Sequence, residues 1–425
     1  MPALNFNNKL PGSIDKDRLA ELSSALKSSG LDKVRLGLLG ADLVVEYENH
    51  QYLHNEVDAL GVALGLATEL VSGKIKRIYV ISLKSGQPFL ETSVDALSYR
   101  SWLRDEADTS SVKSSFGFGR LVGYDAKAVK WVDAAETKNK IKVEFSPVLN
   151  YTLGTEYGLF DYSLAVQARG AMNVWSGADA YIDVVKRIDS TANMSSDGIF
   201  SANRQKDGVK TVALQQSIWL NKNLLTSVGL GVYQYKSFGF EGESIYFLPS
   251  SEDTIHIKGK SINYMDSTTP KFQDAWSAAY RWKISPVTWV EGGLNAYTDA
   301  SRGPSVVLTR WFGDVALNMQ FRKGGNNSFV GLDLSFPLTP RQGPISEYVQ
   351  VSGTPRFDIG LRTLLASGSN KLNYVRPNAV RVADISYKPE VELLNSGRIG
   401  SDYVMSQLPR MRESFYMYAR NFLPE

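Results

Sequence analysis

Two periodicities divide the chain. Over roughly the first hundred residues, apolar positions recur at helical spacing between short alternating runs. Residues 15–29 predict an amphipathic helix: Leu19, Leu22, Ala25 and Leu26 share one face, and Gly30 stands where a C′ glycine belongs. Two strands follow. Val34, Leu36 and Leu38 alternate with Lys33, Arg35 and Gly37; Leu43, Val45 and Tyr47 alternate with Val44, Glu46 and Glu48, with a turn at Gly40. A second helix is predicted over 55–71, with Asn55 as N-cap and Val57, Leu60, Leu64 and Ala67 as its buried stripe. Strands near 75–83 and 88–94, broken at Ser85 and Gly86, and a short helix near 95–104 complete an α-β-β-α-β-β-α order. That order predicts a small α/β domain over 13–110, behind a tail at 1–12, with helices over a mixed or antiparallel sheet.

From about residue 112 the helical period gives way to a period of two. Ile141, Val143, Phe145, Pro147, Leu149, Tyr151 and Leu153 oppose Lys142, Glu144, Ser146, Val148, Asn150 and Thr152. Phe160, Tyr162, Leu164 and Val166 oppose Asp161, Ser163, Ala165 and Gln167. The same dyad runs through 275–284, 314–322, 329–338 and 356–362. These runs span about nine to thirteen residues, longer than the ~5–6 of typical soluble strands and matched to the ~9–11 tilted residues of a membrane-crossing strand. A closed antiparallel transmembrane β-barrel over 111–425 is therefore expected, since lipid tolerates no open sheet edge. At roughly 20–25 residues per strand and connection it would hold about 12–16 strands, with fourteen the central value. Tight turns are expected at Lys222-Asn223, Gly313-Asp314 and 324–327, and long polar connections over 186–208, 236–274 and 364–411. Tyr416, Tyr418 and Phe422 share a parity that reads as a final strand.

Composition adjusts this picture only at the margins. The 425 residues carry a net charge of +3, too balanced to imply a nucleic-acid partner. The most apolar stretch, Val57 to Leu70, contains Asp58 and is too short for a membrane helix. There is no cysteine, which removes disulfides, thiolate metal sites and cysteine nucleophiles. Tyr 21, Phe 18 and Trp 8 beside Gly 35 suit a curved sheet with aromatic anchors. The start, Met-Pro-Ala-Leu-Asn, lacks the basic and apolar regions of a secretory signal, which an outer-membrane protein would carry.

Candidate chemistry is sparse. No phosphate-binding loop, nucleophile elbow or zinc-protease motif occurs, and the three histidines are His50, His54 and His256. His50 and His54 read as ordinary loop residues. Asp179 and Asp183 have the composition of a glycosidase couple but share one strand, where lining a lumen is the simpler reading. No enzyme activity, catalytic residue, metal or cofactor is expected. What remains is a mixed-charge face: Lys142, Glu144, Asp161, Arg169, Arg281, Lys283, Glu291, Asp314, Arg322, Asp333, Arg356, Asp358 and Arg362 are expected to line the lumen. Such a surface suits passage of a polar polymer, or mutual neutralisation that braces the barrel.

Val45-Glu46-Tyr47-Glu48-Asn49 and Asn55-Glu56-Val57-Asp58-Ala59-Leu60-Gly61, followed later by Phe329 to Arg341, resemble the YjbH family and its GfcD relatives. The resemblance runs from about residue 13 to the end and is closest to a C-terminal half of the longer members. It implies an outer-membrane barrel of exopolysaccharide or capsule loci, with a periplasmic domain. Implied partners are the polysaccharide chain, a Wza-type export protein that the N-terminal domain docks, outer-membrane lipid, and a second barrel module. The alternatives are a scaffolding barrel with a plugged lumen, or a barrel enzyme that modifies the polymer. The family implies no catalytic residues.

Overall fold

The computed structural model describes residues 16–71, 75–119, 127–132, 139–264, 272–297, 300–365 and 384–423. The expected tail at 1–12 lies outside them. Strand dominates over helix, and no described helix is long and apolar enough to cross a membrane. Contacts divide the chain into two units: 1–138 together with 393–425, and 139–392.

The first unit begins with α1 (Lys16–Ser28), β1 (Leu31–Leu39), β2 (Asp42–Asn49), α2 (Glu56–Val71), β3 (Arg77–Lys84), β4 (Gln87–Asp95), α3 (Ala96–Leu103), α4 (Thr109–Ser115), β5 (Gly117–Gly119) and β6 (Lys130–Trp131). The first seven elements occur in the order the periodicity predicts. Gly30 closes α1 at φ +92°, a conformation with little cost only for glycine. Asn55 Oδ1 accepts from the Val57 N–H at 3.3 Å where α2 starts. The sheet runs β5-β4-β3-β2-β1-β6. Only β2 and β3 pair in parallel, because α2 carries the chain back across the sheet between them. Every residue of α2 except Glu69 is buried, polar Asp58 and Thr68 included, so this helix is the core of the unit.

The second unit is one sheet. It comprises β7 (Ile141–Thr155), β8 (Gly158–Trp175), β9 (Ala178–Ser190), β10 (Gly208–Asn221), β11 (Leu224–Tyr233), β12 (Ser237–Phe247), β13 (Thr254–Tyr264), β14 (Phe272–Ser285), β15 (Thr288–Ala296), β16 (Arg302–Phe312), β17 (Val315–Gly324), β18 (Asn327–Phe336), β19 (Val349–Gly353) and β20 (Phe357–Leu365), with a turn of helix α5 (Pro389–Glu392). β7 to β18 form an antiparallel meander of successive neighbours, and β20 pairs with β18. β19 pairs with β7 in parallel, so the strands at the two ends of the sheet order are separated by only Thr354, Pro355 and Arg356. Two strands, β12 and β13, occupy the stretch expected to be a long connection at 236–274. Glycines and buried apolar residues (Gly239, Gly242, Ile245, Phe247) blur the dyad there.

The dyad is inverted relative to a soluble sheet. In β10, Val212, Leu214 and Ile218 are exposed while Thr211, Gln215 and Ser217 are buried. In β14, Trp276, Tyr280 and Trp282 are exposed while Ala275, Ser277 and Ala279 are buried. Exposed Trp175, Tyr246, Trp282 and Phe312 all lie within a few residues of turns at one end of the meander.

The tail departs from expectation. Beyond Glu392 it returns to the first unit as α6 (Ser401–Ser406) and α7 (Leu408–Tyr418). Tyr416 and Tyr418 are helical, not part of a final strand, and this segment groups with the first unit and not with the sheet of the second, contrary to the single stretch expected over 111–425. Leu408, Met411, Ser414 and Phe415 recur at helical spacing and are buried, and α7 packs on α2. Gly61 and Gly65 allow it: a Cβ on Gly61 would lie 2.3 Å from the Met411 carbonyl oxygen, and one on Gly65 2.1 Å from the Phe415 ring. Asp58, fully buried on α2, is met from α7 by Arg410 through Nε and Nη2, both at 2.7 Å, and by the Ser414 hydroxyl at 2.7 Å.

Candidate functional site

The polar face of the second unit's sheet surrounds a cavity of about 740 Å³. Side chains from β7, next to one end of the sheet order, from β14 and β17, and from β20 at the other end all reach it. Period-two alternation sends every second residue inward. Antiparallel register then sets opposite charges side by side: Glu144 faces Arg169, Arg169 faces Asp183, Glu243 faces Lys258, and Arg281 faces Glu291.

Nine of the thirteen expected lumen residues line this cavity: Glu144, Arg169, Arg281, Glu291, Arg322, Asp333, Arg356, Asp358 and Arg362. Lys142, Asp161, Lys283 and Asp314 are not among its lining. Asp161 is buried but accepts from Thr191 Oγ1 at 2.9 Å and Asn193 Nδ2 at 3.1 Å, which ties it to the connection after β9. Lys283 donates to Glu252 at 3.0 Å in the β12–β13 connection. Asp314 lies in the two-residue turn between β16 and β17, so its parity in the sequence does not make it a strand residue. Lys142 sits opposite Gln350 at the parallel β7–β19 pair.

Part of the stretch expected to be a long polar connection at 364–411 enters the same cavity. Asp384, Ile385, Ser386, Lys388, Glu390, Val391 and Glu392 contribute to its lining. Glu241 Oε1 accepts from the N–H groups of Ser386 at 2.7 Å and Tyr387 at 3.0 Å. The Tyr387 hydroxyl donates to Asp179 at 2.9 Å, and Lys260 donates to the Asp384 carbonyl at 3.0 Å. Arg281 binds Glu390 through Nη1 at 2.6 Å and Nη2 at 2.9 Å, and Arg169 reaches Glu392 at 3.4 Å. Burial opposes ionisation of Glu390, yet the Arg281 guanidinium outweighs it and holds that carboxyl well below the usual carboxylate range. Asp179 and Asp183, spaced like an acid–base couple, are each engaged, Asp179 by Tyr387 and Asp183 by Arg169.

The strands missing from the sequence reading supply Glu241, Glu243, His256 and Lys258. His256 donates to or accepts from Glu243 at 2.9 Å and Thr254 at 2.9 Å. Alternation of Thr254, His256, Lys258 and Lys260 with Ile255 and Ile257 is the signal that could have located β13. In the first unit, the His50 ring nitrogens lie 2.8 Å from Asp32 and 3.3 Å from Glu48, an internal polar contact. Among the described residues no group of three or more His, Cys, Asp or Glu side chains is arranged to hold a metal ion.

The cavity can therefore hydrogen-bond a polyhydroxylated chain and meet charges of either sign. No curated protein matches the chain, and no solved structure does. A family model, YjbH, described as exopolysaccharide biosynthesis protein YbjH, matches residues 5–238, more than half the chain. The match includes both motifs at 45–61; the later run at 329–341 falls beyond it. The chain belongs to the YjbH family of exopolysaccharide biosynthesis proteins.

Proposed function

We propose that the second unit is a β-barrel of the bacterial outer membrane through which an exopolysaccharide or capsular polysaccharide leaves the cell. The first unit, in the periplasm, docks an export partner of the Wza type. The observation that carries this reading is the inverted sheet: large apolar side chains point outward on strand after strand, and charged ones point into a shared cavity. Water would penalise that arrangement along every strand, whereas hydrocarbon outside and a wet interior reward it. Two features support closure and span. The end strands β19 and β20 are consecutive pieces of one chain segment, so β7 and β18 flank the same stretch. The aromatics near one set of turns are placed as an interfacial girdle.

The role is that of a conduit, not a catalyst. A second barrel module, as in longer members of the family, is a candidate partner. Deleting the gene is expected to abolish surface polymer while precursor synthesis continues, and the protein should fractionate with outer membrane. Unchanged surface polymer in the deletion strain would remove the export role. A second reading, a scaffolding barrel with a permanent plug, is favoured by the segment from Asp384 to Glu392 inside the cavity. Planar-bilayer conductance that rises when Glu390 and Glu392 are substituted supports the conduit; a closed bilayer in all variants supports the scaffold.

A further inference from the structure

Two arginines of the cavity wall each hold two carboxylates, and in each case one belongs to the inserted segment. Arg281 binds Glu291 through Nε and Nη2 and Glu390 through Nη1 and Nη2. Arg169 binds Asp183 through Nε and Nη2 and Glu392 through Nη1. Glu291 and Asp183 are fixed by sheet register, directly opposite their arginines. Glu390 and Glu392 are fixed only by a segment that joins no strand ladder and is held through side chains. Trp289 lies against the Arg281 guanidinium, 5.2 Å from ring centre to Cζ, and belongs to the wall; Tyr181 lies against Arg169 at 5.0 Å and also packs on Tyr387 of the segment, whose Ser386 carbonyl accepts from Arg169 at 3.0 Å. The segment contributes the carboxylates of Asp384, Glu390 and Glu392 and the ammonium of Lys388 to the cavity. Lifting it out makes the wall more positive and turns one edge of each guanidinium toward open volume. Such an edge binds a carboxylate with paired, charge-assisted hydrogen bonds.

We propose that Arg281 and Arg169 are subsites for the carboxylates of an acidic polysaccharide, and that Glu390 and Glu392 occupy them until the polymer displaces the segment. This rests on the export reading and adds the chemical class of the polymer: a chain bearing uronic acids, not a neutral glycan.

The test uses the purified full-length chain in detergent, titrated with oligogalacturonate and with a dextran oligomer of equal length. Oligogalacturonate is expected to bind E390Q/E392Q about tenfold more tightly than wild type, the scale of one lost charge-assisted contact, while dextran is indifferent to the change. R169Q/R281Q should lose the oligogalacturonate preference. Glutamine keeps the shape of glutamate, and the comparison of the two oligomers on wild type and E390Q/E392Q does not depend on the arginine variants folding. Equal binding of both oligomers, no binding by any form, or an oligogalacturonate affinity unchanged in E390Q/E392Q overturns the proposal. If deletion abolishes surface polymer yet the oligomers bind alike, the substrate class fails and export stands.

Discussion

Buried charge in the first unit is the place where single residues matter most. Asp58 is fully buried on α2 and its carboxylate is matched by the Arg410 fork and the Ser414 hydroxyl. Removing one partner of such a pair leaves charge without compensation, at a cost of about 3–5 kcal/mol. Arg410→Met should therefore lower the urea midpoint of the first unit strongly, read by pulse proteolysis of the full chain; a shift no larger than a surface substitution gives would contradict the role assigned to this pair. Glu91 on β4 behaves oppositely. It is buried, one carboxylate oxygen lacks a partner among the described residues, and burial pushes its carboxyl up from 4.5 to about 7. Between those values the folded chain keeps a proton that the unfolded chain has released. Stability of the first unit should then fall as pH rises from about 4.5 to about 7 and level off above it. Glu91→Gln should flatten that part of the profile, and a wild-type profile that rises over the same range would refute the assignment.

At the scale of elements, the α2–α7 contact is built on glycines. Gly61 brings the Met411 backbone against α2, and any side chain there must push α7 away. Gly61→Ala is expected to destabilise the first unit by about 1–3 kcal/mol through overpacking, with faster hydrogen exchange concentrated in residues 408–418. The two glycines and the apolar run around them are plain in the sequence, but their partner is more than three hundred residues away. The tail illustrates why local reading fails there. Tyr416, Tyr418 and Phe422 do alternate, but Leu408, Met411 and Phe415 also recur at helical spacing. Short segments satisfy both periods, and only packing against α2 decides between them. For β12 and β13 the loss was of a different kind, since glycines and inward apolar residues diluted a dyad whose register is set by the neighbouring strands.

For the whole molecule, the outward apolar face is the feature with the widest consequence. Leu332 lies at the middle of β18, exposed, between inward Gly331 and Asp333. On the proposed lipid face an arginine at mid-depth costs about 2–4 kcal/mol. Leu332→Arg should reduce the heat-modifiable, fast-migrating form on unheated gels, whereas Ser335→Thr on the inner face should leave it in place. Equal behaviour of the two variants would argue against a lipid-facing surface.

The sequence by itself determined the division into a helical-period front and a dyad-period remainder, the order of the first seven elements, and which residues of most strands share a face. Those properties depend on backbone periodicity, which each residue reports through its immediate neighbours. Only the tertiary structure decided that the tail returns to complete the first unit, that β19 and β20 stand at opposite ends of one sheet order, and that Glu390 and Glu392 meet Arg281 and Arg169. The contacts that bring α7 to α2, β19 to β7, and the two glutamates to their arginines each span a hundred residues or more. Charge and polarity say that such groups need partners, but not which ones, because the choice is made by the register and packing of the assembled sheet.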